Sequence, residues 1–189
     1  MSVSIKPLSP ELIDDFLLYF DEIGFSDNPD WADCYCYFHH FPGTNQEWSK
    51  RTKEQNRKAS KNLILSRELN GFLAYDNKTP IGWINVDLKQ NYLKLPLDEK
   101  SKIPTGEKIA SIVCILIAPN YRKKGIATTL LNEILKQLKA RGITLVESYP
   151  RKGDLSDAHS YHGPPSLYKS AGFKIVQEFE NMYIMQKRL

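Results

Sequence analysis

The spacing of apolar side chains along the chain switches between helical and strand-like periods. Leu12, Ile13, Phe16, Leu17, Phe20 and Ile23 recur at steps of three and four residues, which places them on one face of a helix. Ser9-Pro10-Glu11 just before them reads as a helix start, with Ser9 as N-cap and Pro10 at the first helical position. A short strand over residues 3–5 precedes it. Residues 46–69 read as a second helix, polar at first and apolar near Leu63, Ile64 and Leu69. The runs 71–75 and 81–87, joined by the turn-rich 76–80, predict a hairpin. Residues 109–118 are the most apolar run, and their β-branched content and the following Pro119 favour a central strand.

Ile126, Ala127, Leu130, Leu131, Ile134, Leu135 and Leu138 then repeat at helical spacing up to Gly142. After it come a strand over 143–149, a short helix around Leu167, Tyr168 and Lys169 stopped by Gly172, and a terminal hairpin over 174–179 and 182–187. Two stretches lack a period. Residues 25–43 are dense in aromatic, cysteine and histidine side chains, and 89–106, with Pro96, Pro104 and Gly106, read as a long loop of the kind that often carries function. This order predicts a single α/β (α+β) domain with a mixed central β-sheet flanked by helices.

Length and composition agree. A chain of 189 residues, 41% hydrophobic and 25% charged, suits one soluble globular domain and excludes collagen-like, disordered and disulfide-scaffold classes. The charge of +4, 26 basic against 22 acidic residues, is mild, so nucleic acid is not an expected partner unless the basic residues cluster. Lys50, Lys53, Arg57 and Lys61 fall near one face of the predicted second helix, either as a solvated face or as an edge for an anion. Three cysteines, an odd number, suit a reducing compartment. No apolar run resembles a signal-peptide core or approaches a membrane span, so a cytoplasmic protein without a membrane partner is expected.

The informative unit is the apolar strand, Pro119-Asn120-Tyr121, then Arg122-Lys123-Lys124-Gly125-Ile126-Ala127, then a helix. A glycine where strand turns into helix lets the backbone approach a ligand, and the free N–H groups of the first turn favour an anion. That is a pyrophosphate seat, with positive charge from Arg122, Lys123 and Lys124 at its mouth. The other phosphate-loop patterns, G-x-x-x-x-G-K-[ST] and G-x-G-x-x-G, are absent.

Residues 115–127 resemble the strand, Q/R-x-x-G-x-G/A loop and helix of the GNAT superfamily of acyl-CoA-dependent N-acetyltransferases. Leu167-Tyr168-Lys169-Ser170-Ala171-Gly172-Phe173 is similar to that family's L-Y-x-x-x-G-F element. The resemblance covers most of the chain and is weakest over 25–45 and 89–106. It implies one N-acetyltransferase domain over 1–189, with those two segments on the acceptor side. It implies acetyl-CoA as cosubstrate, no metal, and a small-molecule or peptide amine as acceptor, in a monomer or homodimer. The pantetheine arm would pair with the backbone of Ile115, Leu116 and Ile117, and the pyrophosphate would lie on the amides of residues 123–128, from Lys123 through Gly125, Ile126 and Ala127 to Thr128, with Arg122 beside them. Tyr168 would be the general acid for the departing thiolate, against a plain core or CoA-packing role. The oxyanion would meet a strand N–H near Ile115.

The base departs from the family pattern. Ser111 stands where some members carry a glutamate, and Glu107, on the same strand face, and Glu147, on the next strand, are the other candidates. Cys114, between Val113 and Ile115, reads as a buried inert thiol rather than an acyl carrier. Cys34, Cys36, His39 and His40 are zinc-type ligands in an unusual spacing, and an aromatic acceptor wall of Trp31, Tyr35 and Tyr37 is the better reading, with core packing as its rival. Tyr149 and His162 are expected to touch the acceptor or help move protons. Transfer of a different acyl group and a non-catalytic acyl-CoA sensor are the alternatives to acetyl transfer.

Overall fold

A computed structural model describes residues 3–95, 106–153, 156–157 and 159–189. Its centre is a seven-stranded mixed sheet in the order β1-β2-β3-β4-β5-β7-β6. The strands are β1 (Val3–Pro7), β2 (Gly71–Asp76), β3 (Thr79–Leu88), β4 (Ile109–Ile117), β5 (Leu145–Ser148), β6 (Lys174–Glu178) and β7 (Tyr183–Arg188). The expected hairpins are present, and among the described residues the only parallel pair of the sheet is β4 with β5.

That parallel pair is short. It runs from Ile109 opposite Leu145 to Ile112 opposite Ser148, after which β4 continues to Ile117 while β5 has ended. On its other side β4 carries an irregularity against β3, where Asn85 faces Cys114 and the next residue, Val86, faces Ile112. Val113 is thus an extra residue, a bulge of the sort that bends a strand beside functional sites. It sends successive side chains of β4 to three apolar clusters: Ile112 and Ile115 to one, Cys114 and Leu116 to a second, Val113 to a third.

The helices cover both faces. The 15-residue α4 (Ile126–Ala140) lays Ile126, Leu130, Leu131, Ile134, Leu135 and Leu138 on one face of the sheet, as their spacing predicted. The N-terminal helical segment lays Phe16, Phe20 and neighbours against Leu73, Tyr75 and Trp83 on the other. That segment is not a uniform helix. It starts as a 3-10 turn over Pro10–Leu12, becomes α1 (Ile13–Leu18) and widens to a π turn over Tyr19–Ile23, and the Ser9 side chain makes no capping bond.

The helix expected over 46–69 is two helices, α2 (Asn45–Trp48) and α3 (Lys53–Leu65). Each opens with a reciprocal capping box, Thr44 with Glu47 and Thr52 with Gln55, so the backbone is given two helix starts where periodicity reads one. The break also divides the supposed basic stripe, since Lys50 precedes α3 and Arg57 is forked onto Asp21 at 2.9 and 3.1 Å. The short helix α5 (Pro165–Ser170) lies where predicted, and Gly172 follows it with φ of +85°. Of the segment 89–106, Lys89–Asn91 forms a 3-10 turn and residues 96–105 lie outside the described ones. Among the described residues no helix is long and apolar enough to cross a membrane.

Candidate active site

The Arg122–Thr128 loop lies beside the open end of β4, at the start of α4. Gly125 is the residue just ahead of the helix and has φ of +77°, a left-handed conformation that only glycine adopts without strain. A Cβ there would meet nothing within 4 Å, so backbone angle rather than crowding requires glycine. No side chain caps α4, which leaves its first amides for a ligand. A cleft of about 270 Å³ joins this loop to β4, lined by Ile115, Leu116, Ile117, Lys123, Gly125, Ile126, Ala127 and Thr128 among others. It therefore brings together the residues assigned to the cosubstrate other than Lys124, and their chemistry fits a pyrophosphate at one end and an uncharged arm along β4.

Arg122 is not free beside that seat. Its guanidinium forks onto Asp27 at 2.5 and 3.2 Å, approaches Asp157 at 3.6 Å and donates to the Ile117 carbonyl at 3.0 Å. The Arg122 hydrogen bond holds the Asp27 carboxyl below its usual range, so this charge is committed within the chain. Lys123 and Lys124 are exposed at the mouth, with Lys124 over the Tyr121 ring at 5.5 Å. Arg122 lines the cleft as well, and its pairing with Asp27 ties that residue to the loop.

Two further cavities lie beyond the cleft. One, of about 380 Å³, is lined by Asp30, Trp31, Asp33, Phe38, Trp48 and the thiols of Cys34, Cys36 and Cys114, and shares Phe25 and Leu116 with the cleft. The other, of about 470 Å³, takes in Tyr149, Arg151, His162, Lys94 and Met182 and shares Phe38, His39 and Tyr161 with the first. Trp31, Tyr149 and His162 therefore line cavities. Tyr35 lines neither: it is fully buried, its hydroxyl donates to Asp21, and burial pushes that hydroxyl well up. Tyr35 is a core residue, held in a left-handed turn with φ of +43°.

The carboxylates and hydroxyls named as bases are placed as follows. Glu107 pairs with Arg188 at 2.8 Å just ahead of β4, at the opposite end of the strand from Ile115. It is no base for this site. Glu147 is buried and fully engaged: Lys89 Nζ lies at 2.7 Å, and the Tyr149 hydroxyl and Gln186 amide donate to it at 2.9 and 2.7 Å. A carboxylate so satisfied fixes the base of the splayed strands and is a poor proton acceptor. Ser111, opposite it in register, is 2.8 Å from the same Tyr149 hydroxyl. Burial and the Glu147 charge both push the Tyr149 hydroxyl well up.

Tyr168 is fully buried, and its hydroxyl donates to the His162 carbonyl at 2.7 Å. Burial raises its pKa strongly. The Ile115 amide does not point free into the cleft as expected of an oxyanion donor, because it donates to the Tyr161 carbonyl at 2.7 Å. His39 and His162 lie with ring centroids 6.2 Å apart, and burial holds their pKa values down to about 4 and about 3. Both are neutral near pH 7. His162 Nδ1 is buried without a hydrogen-bond partner. Among the described residues no group of three or more His, Cys, Asp or Glu side chains is placed to hold a metal ion.

Sequence reading missed Asp27, Lys89, Asp157 and Gly163. The first three act through partners far away in the chain, and no local pattern marks them. Gly163 was readable as a turn residue ahead of Pro164-Pro165, but its closeness to Ile115 and Tyr168 was not.

Splayed parallel strands, a glycine-led helix start beside them and a buried tyrosine over the gap define an acyl-CoA-dependent acetyltransferase. The sequence model of the Acetyltransferase (GNAT) family matches residues 29–162, and the chain belongs to that family. It is similar in fold to the PaiA N-acetyltransferase from Thermoplasma acidophilum in complex with coenzyme A, at 20% identity over 100% of each chain with a TM-score of 0.60. An acetyltransferase from Thermus thermophilus matches at 15% identity over 100% of this chain and 98% of that one, TM-score 0.60. The ribosomal-protein-S18-alanine N-acetyltransferase from Escherichia coli matches at 15% over 99% and 94%, TM-score 0.52. At such identities the likeness is one of fold. No curated protein matches the chain.

Proposed function

We propose that this acetyltransferase moves an acetyl group from acetyl-CoA directly to a primary amine of a small molecule or peptide, within one transferase domain spanning 1–189. The observation that carries this reading is the shared wall: Phe25 and Leu116 line both the cleft at the Gly125 loop and the aromatic cavity behind it. An acyl group at the end of that cleft faces a space walled by Trp31, Phe38 and Trp48, with Asp30 and Asp33 at hand, and such a space suits an amine. Segment 25–45 and residues 89–95 form the acceptor side in this reading.

Lys123 through Thr128 bind the pyrophosphate with their amides, and Ile115 to Ile117 offer main chain to the pantetheine arm. Acetyl-CoA supplies an activated acyl group whose carbonyl oxygen gains charge when the amine attacks. The Ile115 amide is the donor suited to that charge, and Tyr168 carries the proton for the leaving sulfur. With Glu107 remote, Glu147 engaged and burial keeping the Tyr149 hydroxyl protonated, the amine gives its proton to solvent water. Cys114 is buried against Cys36 and Leu116 and takes no acyl group. The three cysteines are free thiols, which supports a cytoplasmic setting.

A non-catalytic acyl-CoA sensor is the second reading, favoured by Ser111 at the usual base position and by the engagement of Glu147. The experiment that separates them follows acetylated amine by mass spectrometry after incubation with acetyl-CoA and a mixture of polyamines, amino sugars, amino acids and short peptides. Product that depends on both substrates supports transfer. Binding of CoA with no product from any amine class supports the sensor. Propionyl-CoA in parallel reads out acyl preference.

A further inference from the structure

Two donors of the transferase site point at one short piece of main chain. The Ile115 N–H donates to the Tyr161 carbonyl and the Tyr168 hydroxyl to the next carbonyl, that of His162, each at 2.7 Å. These are the groups that acyl transfer uses at the carbonyl oxygen and at the sulfur. Gly163 makes so close an approach feasible. Its φ is +76°, and a Cβ there would stand 2.8 Å from the Ile115 side chain and 3.2 Å from the Tyr168 hydroxyl.

The segment is held from the acceptor side. The Tyr161 ring lies 5.9 Å from that of Trp31 at 39°, and the Arg151 guanidinium sits 5.3 Å over it. Nearby, Asp157 approaches Arg122. Residues 160–163 therefore cross the gap between β4 and α5 as a strap anchored on both sides.

We propose, on the basis of the transferase reading, that this strap stands in for the thioester: its consecutive carbonyls keep the Ile115 amide and the Tyr168 hydroxyl aimed, and acyl-CoA binds by exchanging its own acceptors for them. A buried donor left without an acceptor is costly, and the strap removes that cost before the substrate arrives. The donors then need no rearrangement when charge develops. The exchange lowers apparent CoA affinity by the fraction of time the strap is in place. Tyr161, His162 and Gly163 are thus positioning residues for the reaction.

Hydrogen–deuterium exchange of the full chain with and without acetyl-CoA tests this by sign. Acetyl-CoA should slow exchange over residues 122–128 and speed it at Gly163, whose amide donates to the Ser160 carbonyl, and at Ser160, whose amide donates to the Ser156 and Asp157 carbonyls just ahead of the strap. Protection at 122–128 with slower or unchanged exchange at Ser160 and Gly163 would overturn the strap and leave the transferase reading intact. No protection at 122–128 would overturn both. Arg151→Ala, which frees the Tyr161 ring, should tighten acetyl-CoA binding by about threefold or more. Unchanged or weaker binding in that variant would count against the strap.

Discussion

Tyr168 shows at the scale of one residue what burial does to a proton donor. Burial raises the pKa of its hydroxyl, which keeps it protonated and a hydrogen-bond donor across the working range while making it a weaker acid, so its proposed role toward the departing thiolate rests on position and not on this shift. Tyr168→Phe should lower turnover by about a hundredfold or more while CoA affinity stays within about threefold, measured by thiol release and calorimetry. Full turnover in that variant would remove Tyr168 as the acid. His39 and His162 make a pH prediction. Burial is the main cause of their low pKa values, about 4 and about 3, with His40 adding at His39, and His39 and Arg151 adding at His162, while the Lys94 carbonyl opposes the effect at His39. Their pKa values in the unfolded chain are near 6.5, so below that pH the unfolded chain takes up protons that the folded one refuses. This contribution is complete above about pH 7 and is lost as pH falls from 6.5 towards 4, by up to about 1.4 kcal/mol per unit for each histidine. Urea unfolding at several pH values should show His162→Gln with a shallower slope than the parent. Equal slopes would contradict the assignment.

At the scale of elements, α4 depends on the angle of one residue. Gly125→Ala places a Cβ at φ of +77°, which costs about 1–2 kcal/mol. The variant should melt earlier and bind CoA about tenfold more weakly, because the amides of residues 123–128 share that turn. A thermal melt and a CoA titration check both, and unchanged CoA affinity would detach the loop from the pyrophosphate. Elements like α4, β2 with β3, and β4 were legible because their apolar periods are long and uninterrupted. The break between α2 and α3 was not, because the capping boxes that make it sit inside one continuous helical period. The left-handed turn at Tyr35 and Cys36 was illegible as well, since nothing in those residue types asks for positive φ. It turns Tyr35 into the core and away from the acceptor wall.

In the whole molecule, the site is assembled where chain pieces far apart meet, which is why only part of it was readable. The cosubstrate loop is contiguous in sequence and so could be read from it. The partners of Arg122, 95 residues back at Asp27, and of Glu107, 81 residues on at Arg188, could not. The same holds for the Lys89–Glu147 pair, with side chains 3% and 1% exposed, which fastens the end of β3 to β5 below the splay. Lys89→Met leaves a carboxylate buried and should cost about 3–5 kcal/mol of stability in urea unfolding, and adding Glu147→Gln should restore much of it. A double variant no better than the single one would show that the charge is not what matters. The central claim is acetyl transfer to an amine, and release of CoA thiol from acetyl-CoA, followed with and without a panel of primary amines, tests it most directly. The account predicts sustained release that depends on at least one amine class and matches acetylated product one for one. Tight CoA binding with no amine-dependent release from any class would contradict it.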